Sequence, residues 1–171
     1  MFGGGDLETH SRAELVAAAA DAMAAILDLE GARGLQWVVE THDHWTRSRD
    51  LRRLLDAVDD PAVGALWDAG HTTRVNEEPP AETLDVLGED VAYLHLKDAV
   101  HDPDHPDAMD DGWRYVLPGE GDLPLAAALA ELRDRGYGGW VTFEHEKRWH
   151  PELESPADAN RAFVEWFDGV V

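Results

Sequence analysis

The runs WVVE (37–40), GALWD (64–68), AYLHLKD (92–98) and WVTFE (140–144) decide how this chain reads. Each is short and apolar, and each carries near its end a residue able to hold a metal ion: Glu40, Asp68, His95 and Glu144. Helical patterns separate them. Strands alternating with helices predict a parallel sheet with right-handed crossovers. In such sheets the functional strand ends share one rim. Strand side chains alternate with a period of two, so parity within each run assigns the faces. Glu40 shares its face with Val38 and Gln36, Asp68 with Leu66 and Gly64, His95 with Tyr93 and Val91, and Glu144 with Thr142 and Trp140. The other face carries Trp37, Val39, Val63, Ala65, Trp67, Leu94, Leu96, Val141 and Phe143, which suit packing against helices. Three carboxylates and one imidazole are thus expected at one mouth, in outline a metal site.

Local signals place the remaining elements. Ser11-x-x-Glu14 has capping-box form and predicts a helix from Ser11 to about Glu30, ended by Gly31 and Gly34. Leu51, Leu54, Leu55 and Val58 form the apolar stripe of a helix over Ser48 to Val58. Shorter patterns predict helices over Ala81 to Leu87, Leu123 to Arg135 and Pro156 to Phe167. Strands fall near 35–40, 63–68, 91–96 and 139–144. Between the third and fourth, His101 to Gly121 reads as a long polar connection. Asp68 follows Glu40 by 28 residues and His95 follows Asp68 by 27, as a repeated βα unit requires. The whole chain, 1–171, is expected to form a single domain. No dinucleotide fingerprint, phosphate-binding loop or nucleophile elbow is present.

The chain has no cysteine, which excludes disulfides, thiolate zinc sites and thiol nucleophiles. Its 36 acidic residues face 14 basic ones, a net charge of -22 that repels phosphate backbones and argues against nucleic acid. Self-repulsion of this size weakens the compact state in dilute buffer. At about 1 M salt the Debye length falls to roughly 3 Å, so a salt-adapted, halophilic cytosol is the expectation. The Ala-rich run from Leu15 to Leu27 is interrupted by Asp21 and is shorter than the about 20 apolar residues a membrane span needs. A cytoplasmic location and no membrane partner follow as expectations.

Five segments taken together carry a resemblance: VVETH (38–42), WDAGH (67–71), HLKD (95–98), LPGEGD (117–122) and FEHEKRWHPEL (143–153). In this order and spacing they resemble the sugar phosphate isomerase/epimerase family, the xylose isomerase-like TIM barrels, over about Phe2 to Phe167. The resemblance implies that Glu40, Asp68, His95 and Glu144 hold a divalent metal from the ends of strands five to eight. It also implies that Glu40 and Glu144 double as the acid/base pair and that His71 contacts substrate. Mn2+ or Mg2+ suits this hard ligand set best, with Co2+ and Zn2+ able to bind. The activity implied is isomerisation or epimerisation of a sugar or sugar phosphate by proton transfer through an enediolate. An inosose dehydratase-like lyase is a second possibility. An abasic-site endonuclease is disfavoured by the charge and by too few histidines at strand ends.

A complete (β/α)8 barrel needs about 250 residues. The α/β fold expected is therefore a partial TIM barrel of about four βα units, with Phe2 to Gly5 as the tail of strand four. Four strands leave two unpaired edges and an open inner face bearing Leu66, Tyr93, Val91 and Trp140. Association into a homo-oligomer, or truncation from a longer chain, is the expected resolution. The alternative function is a non-catalytic metal-binding half barrel that needs a partner.

Each residue also has an ordinary explanation. Glu40 can simply end a strand, Asp68 can cap a turn, His95 can be a core histidine, and Glu144 can pair with Lys147 or Arg148 at the surface. Joint occurrence at four successive strand ends is what sets them apart. Parity brings His42 and Lys97 to the rim as candidate substrate contacts beside His71, and Arg148 is a candidate for a hydroxyl or phosphate. Glu146 reads as solvated, as does the acidic stretch holding Asp102, Asp104, Asp107, Asp110 and Asp111. Trp37 and Trp67 are assigned to the helix-facing layer, and Trp45, Trp113 and Trp149 to the mouth or lid.

Overall fold

The alternation of apolar runs and amphipathic helices builds a parallel sheet backed by helices. A computed structural model describes residues 1–171. Strands β1 (Trp37–Glu40), β2 (Val63–Asp68), β3 (Val91–Leu96), β4 (Asp98–His101), β5 (Trp113–Val116) and β6 (Trp140–Phe143) form two sheets. The main one is four-stranded and parallel in the order β1-β2-β3-β6. Helices α1 (Arg12–Leu27), α2 (Ser48–Val58), α3 (Ala69–Asn76), α4 (Pro80–Leu87), α5 (Leu125–Asp134) and α6 (Pro156–Val170) intervene or flank.

The helix-facing layer is dry at its centre, while Trp37, Val141 and Phe143 on the outer strands are half-buried. Val39, Ala65, Trp67, Leu94 and Leu96 are buried in one core with Leu51, Leu54 and Leu55 of α2, Leu84 and Leu87 of α4, and Leu129 and Leu132 of α5. Each fully buried aliphatic side chain contributes about 1.5–3 kcal/mol by leaving water. Ser11 caps α1 through a reciprocal box, with its main-chain N–H donating to Glu14 Oε2 at 2.8 Å and its Oγ accepting from Glu14 N–H at 3.3 Å. That helix stops at Leu27, short of Glu30, because the chain turns through Gly31 at φ +80°. Leu35 closes the same turn by donating to Ala32 O, so β1 begins at Trp37.

Three expectations need correction, and one helix is new. Val91 does not share the face of His95. An irregularity at the foot of β3 pairs Val91 with Ala65 but Tyr93 with Leu66, so Val91 joins the helix-side core. The stretch His101 to Gly121 is not a bare connection. β4 and β5 pair antiparallel, Asp98 opposite Val116 and His101 opposite Trp113, with the acidic segment as their tip. Helix α3 was not expected, since AGHTTRVN has no apolar stripe. It starts because Asp68 Oδ1 accepts the His71 N–H at 2.9 Å, an N-cap. Trp45 is no mouth residue. It is fully buried, donates Nε1–H to Gly4 O at 2.8 Å, and leaves no room for a side chain at Gly3.

The edges differ from each other. Beside β1, Met1 donates its terminal ammonium to Val38 O at 2.8 Å and accepts from Glu40 N–H at 2.9 Å, so the first residue continues the parallel ladder. β6 has no strand on its outer side. Phe163 of α6 stacks on Phe143 at 5.1 Å and covers its helix-side face. On the other face Trp140 is 73% exposed, whereas Leu66 is buried. No helix is long and apolar enough to cross a membrane.

Candidate metal centre

Register carries the four donors across the sheet on a diagonal. Glu40 lies in the row Glu40, Leu66, Tyr93, Trp140. Asp68 and His95 lie one side-chain step higher, opposite Thr142, and Glu144 follows two residues beyond Thr142. The donor atoms of Glu40, Asp68, His95 and Glu144 all lie within 4.8 Å of one another. His95 Nδ1 is 3.6 Å from Glu144 Oε2 and 3.9 Å from Glu40 Oε1.

Each of the four leaves one buried atom without a hydrogen bond: Glu40 Oε1, Asp68 Oδ2, His95 Nδ1 and Glu144 Oε2. Buried polar atoms are normally paired, and an orphan is costly. Four orphans converging on one point, three carboxylate oxygens and one imidazole nitrogen, fit a hard divalent cation.

The second layer is made by Thr41, Lys97, His71 and Glu146. Thr41 Oγ1 accepts the Asp68 N–H at 2.8 Å, tying the end of β1 to the end of β2. Lys97 is 3% exposed. Its Nζ reaches Glu144 Oε2 at 2.6 Å, Glu146 Oε1 at 2.7 Å and Asp68 Oδ2 at 3.0 Å. The approaches to Glu144 and Asp68 are charge contacts off the hydrogen-bonding directions, so both oxygens still lack a proper donor. His71 Nε2 lies 3.1 Å from the same Nζ, and its Nδ1 lies 3.0 Å from Thr41 O.

The electrostatics follow from burial and proximity. Burial pushes Glu40 up, and the neighbouring Glu144 and Asp68 add to the shift. Burial also lifts Asp68 to about 6, against the pull of Lys97. Glu144 feels burial too, but the close approach of His95 and the charge of Lys97 hold it well below the usual carboxylate range. Burial would lower His95, yet its contact with Glu144 raises it. Lys97 is likewise held above the usual lysine range by Asp68 and Glu144 despite its burial. Burial, helped by Lys97, drives His71 down to about 3, so it is neutral at ordinary pH.

The candidate substrate contacts separate into two groups. His42 and His71 stand edge-on at 4.7 Å and line a cavity of about 370 Å³ with Arg74, Tyr115, Glu146 and Trp149. Lys97 sits behind that wall, bound to His71 and Glu146. Arg148 is exposed, its guanidinium 4.9 Å above the Trp149 ring, and it does not line the cavity. Glu144 pairs with neither Arg148 nor Lys147, whose ammonium instead donates to Pro151 O and Leu153 O. Glu146 is not solvated but paired with Lys97. Glu40, His42 and His71 make a second trio within 4.8 Å, but both nitrogens of His71 are already engaged, which leaves no lone pair for an ion. A larger cavity of about 670 Å³ lies by Val91, Arg135 and Tyr137, near the foot of β3, away from the donors.

Thr41, Arg74, Tyr115 and Glu146 went unrecognised in the sequence as parts of the site. Asp68, His71 and Arg74 are spaced three apart, which would align them on α3 had that helix been recognised. Tyr115 needed the β4–β5 pairing.

Comparison with known proteins agrees with this build. The family model for the xylose isomerase-like TIM barrel matches residues 1–168. Inosose dehydratase from Geobacillus kaustophilus is 28% identical over 143 residues, covering 78% of this chain and 43% of that protein. Fructoselysine 3-epimerase from Escherichia coli is 34% identical over 97 residues, covering 57% of this chain and 32% of that protein. The chain therefore spans less than half the length of these curated relatives. The solved structure of a 3-keto-D-glucoside 4-epimerase from E. coli superposes with a TM-score of 0.70 at 20% identity, over 94% of this chain and 56% of that one. A D-tagatose 3-epimerase-like protein gives 0.69 at 18% identity, over 97% and 59%. These likenesses show the fold, and the match over 1–168 shows the kinship: the chain belongs to the xylose isomerase-like TIM barrel family.

Proposed function

We propose that Glu40, Asp68, His95 and Glu144 hold one divalent cation, Mn2+ or Mg2+ by ligand hardness, and that the chain isomerises or epimerises a sugar or sugar phosphate. The observation that carries this reading is the set of four buried donors, none of them hydrogen-bonded through the atom it offers, meeting at one point. A cation held there would polarise adjacent carbonyl and hydroxyl oxygens of a ketose and favour the enediolate. Glu40 and Glu144 come from the two outermost strands of the sheet, and in this reading they act on the substrate from opposite sides. One carboxylate takes the proton from the carbon beside the carbonyl, and the other returns a proton from the opposite side. His71 and His42 on the cavity wall orient substrate hydroxyls. A dehydratase would use the same proton removal but expel a β-hydroxyl instead of reprotonating the carbon. The likeness to inosose dehydratase keeps that lyase reading second.

Incubation in D2O with Mg2+ and D-fructose, D-tagatose or D-ribulose 5-phosphate should wash deuterium into the carbon beside the carbonyl. Glu144→Gln should stop it without unfolding the chain. A protein that binds the cation by calorimetry yet exchanges no proton in any of the three sinks the isomerase reading and leaves the metal centre. An enone absorbance from inosose in place of exchange favours the lyase.

The half-barrel alternative draws on different observations, the 73% exposed Trp140 and the unpaired outer edge of β6. In that reading the four strands correspond to strands five to eight of a barrel, and a second copy or the rest of a longer chain supplies the others. Light scattering decides between them: a monodisperse 18.9 kDa species excludes self-association.

A further inference from the structure

Lys97 contacts two of the four donors through the very oxygens that lack a hydrogen bond. Its Nζ is 2.6 Å from Glu144 Oε2 and 3.0 Å from Asp68 Oδ2, and Glu146 Oε1 holds it from a third side at 2.7 Å. No other lysine or arginine pairs with Glu40, Asp68, Glu144 or Glu146. Three carboxylates, Asp68, Glu144 and Glu146, therefore share one buried cation of the chain's own, and Glu40 has none. Like charges crowded out of water destabilise one another strongly, and one well-placed ammonium relieves much of that.

We propose that Lys97 is a built-in counter-ion that competes with the divalent cation: it keeps the empty centre folded, and it weakens the centre's hold on metal. The proposal rests on the metal reading above. A dication seated on Asp68 Oδ2 and Glu144 Oε2 must share them with Nζ, charge against like charge a few ångströms apart. Glu146 sets the balance, since it is the one charged partner of Lys97 outside the donor quartet. The affinity of the site is thus tuned below what its four donors would give alone, and occupancy becomes reversible.

The test is Mn2+ binding by calorimetry at fixed ionic strength, with thermal melts in EDTA and in excess Mn2+. Lys97→Met should lower the melting point in EDTA, and it should tighten Mn2+ binding by about tenfold or more. The double variant Lys97→Met with Glu146→Gln removes one charge of each sign and leaves the net charge of the pocket unchanged. It also removes Glu146, which the single variant would leave without its partner, so it is the milder change; Asp68 and Glu144 lose their counter-ion in either variant, and both should melt below the parent in EDTA. The double variant should still bind Mn2+ more tightly than the parent. Equal or weaker binding by the double variant overturns the proposal, because only the pocket's total charge, or a scaffolding role, would then matter. A parent chain that takes up no Mn2+ overturns the metal reading itself, a result distinct from the other.

Discussion

The main-chain carbonyl of Thr41 accepts the Nδ1–H of His71 at 3.0 Å. A carbonyl can only accept, so this contact fixes the tautomer and leaves the Nε2 lone pair facing Lys97 Nζ at 3.1 Å. Protonating Nε2 would set two cations against each other in a buried place.

A pH dependence follows. Unfolded His71 titrates near 6.5, while in the folded chain it is driven to about 3. Between those values the unfolded state takes a proton that the native state refuses, so native stability falls as the medium is acidified. The loss is about 1.4 kcal/mol per pH unit across the window. Urea titrations from pH 7 to pH 4 should show the stability of the parent falling toward, or below, that of His71→Gln. Parallel curves for the two proteins would contradict the assignment.

Thr41→Val keeps the shape of the side chain but removes the acceptor for the Asp68 N–H. It should destabilise by about 1–3 kcal/mol, the usual penalty for an unpaired buried amide. Mn2+ binding should weaken as Asp68 loses its anchor, and Thr41→Ser should restore both. Full affinity in the valine variant would show that Asp68 is positioned by other means.

Asp98 pins the LPGEGD segment. Its carboxylate accepts main-chain N–H groups of Gly119 at 2.8 Å, Ala99 at 2.9 Å and Gly121 at 3.1 Å. A side chain at Gly121 would meet Asp98 Oδ1 at 2.1 Å, so the loop closes only around glycine. Asp98→Ala should cost about 3 kcal/mol, since hydrogen bonds to charged groups are the stronger kind. The amides of Gly119 and Gly121 should exchange much faster by hydrogen-exchange mass spectrometry while β1 and β2 keep their protection.

Net charge governs the last expectation. With -22 spread over 171 residues, salt adaptation requires repulsion to outweigh the scattered Arg–carboxylate pairs, several of which are solvent-exposed and individually weak. The melting point should climb from low to molar KCl as the repulsion is screened. A flat or falling midpoint would rule out salt adaptation.

What the sequence disclosed was local. Helix α2 and strand β3 occupy Ser48–Val58 and Val91–Leu96, the spans their apolar patterns predict, and the Ser11–Glu14 cap is made as written. Parity placed Glu40, Asp68, His95 and Glu144 on one face, and the register brings their donors together. Non-local effects stayed hidden. The facing of Val91 depends on how β3 meets β2, which periodicity within one strand does not encode. The β4–β5 pairing joins segments on either side of an acidic tip that dominates the composition. Parity also gave Lys97 a face but not the reach of its four-carbon stem, which bends toward Asp68 and Glu144.

The diagonal climb of the donors makes the site sensitive to spacing as well as to identity. Deleting one residue between Tyr93 and His95 would swing the imidazole into the greasy layer and bring a leucine to the mouth, since neighbours in a strand face opposite ways. Glu40, two strands away, would be untouched yet left without its counterpart. Evolution can therefore swap the side chains between the donors far more freely than it can lengthen or shorten these strands.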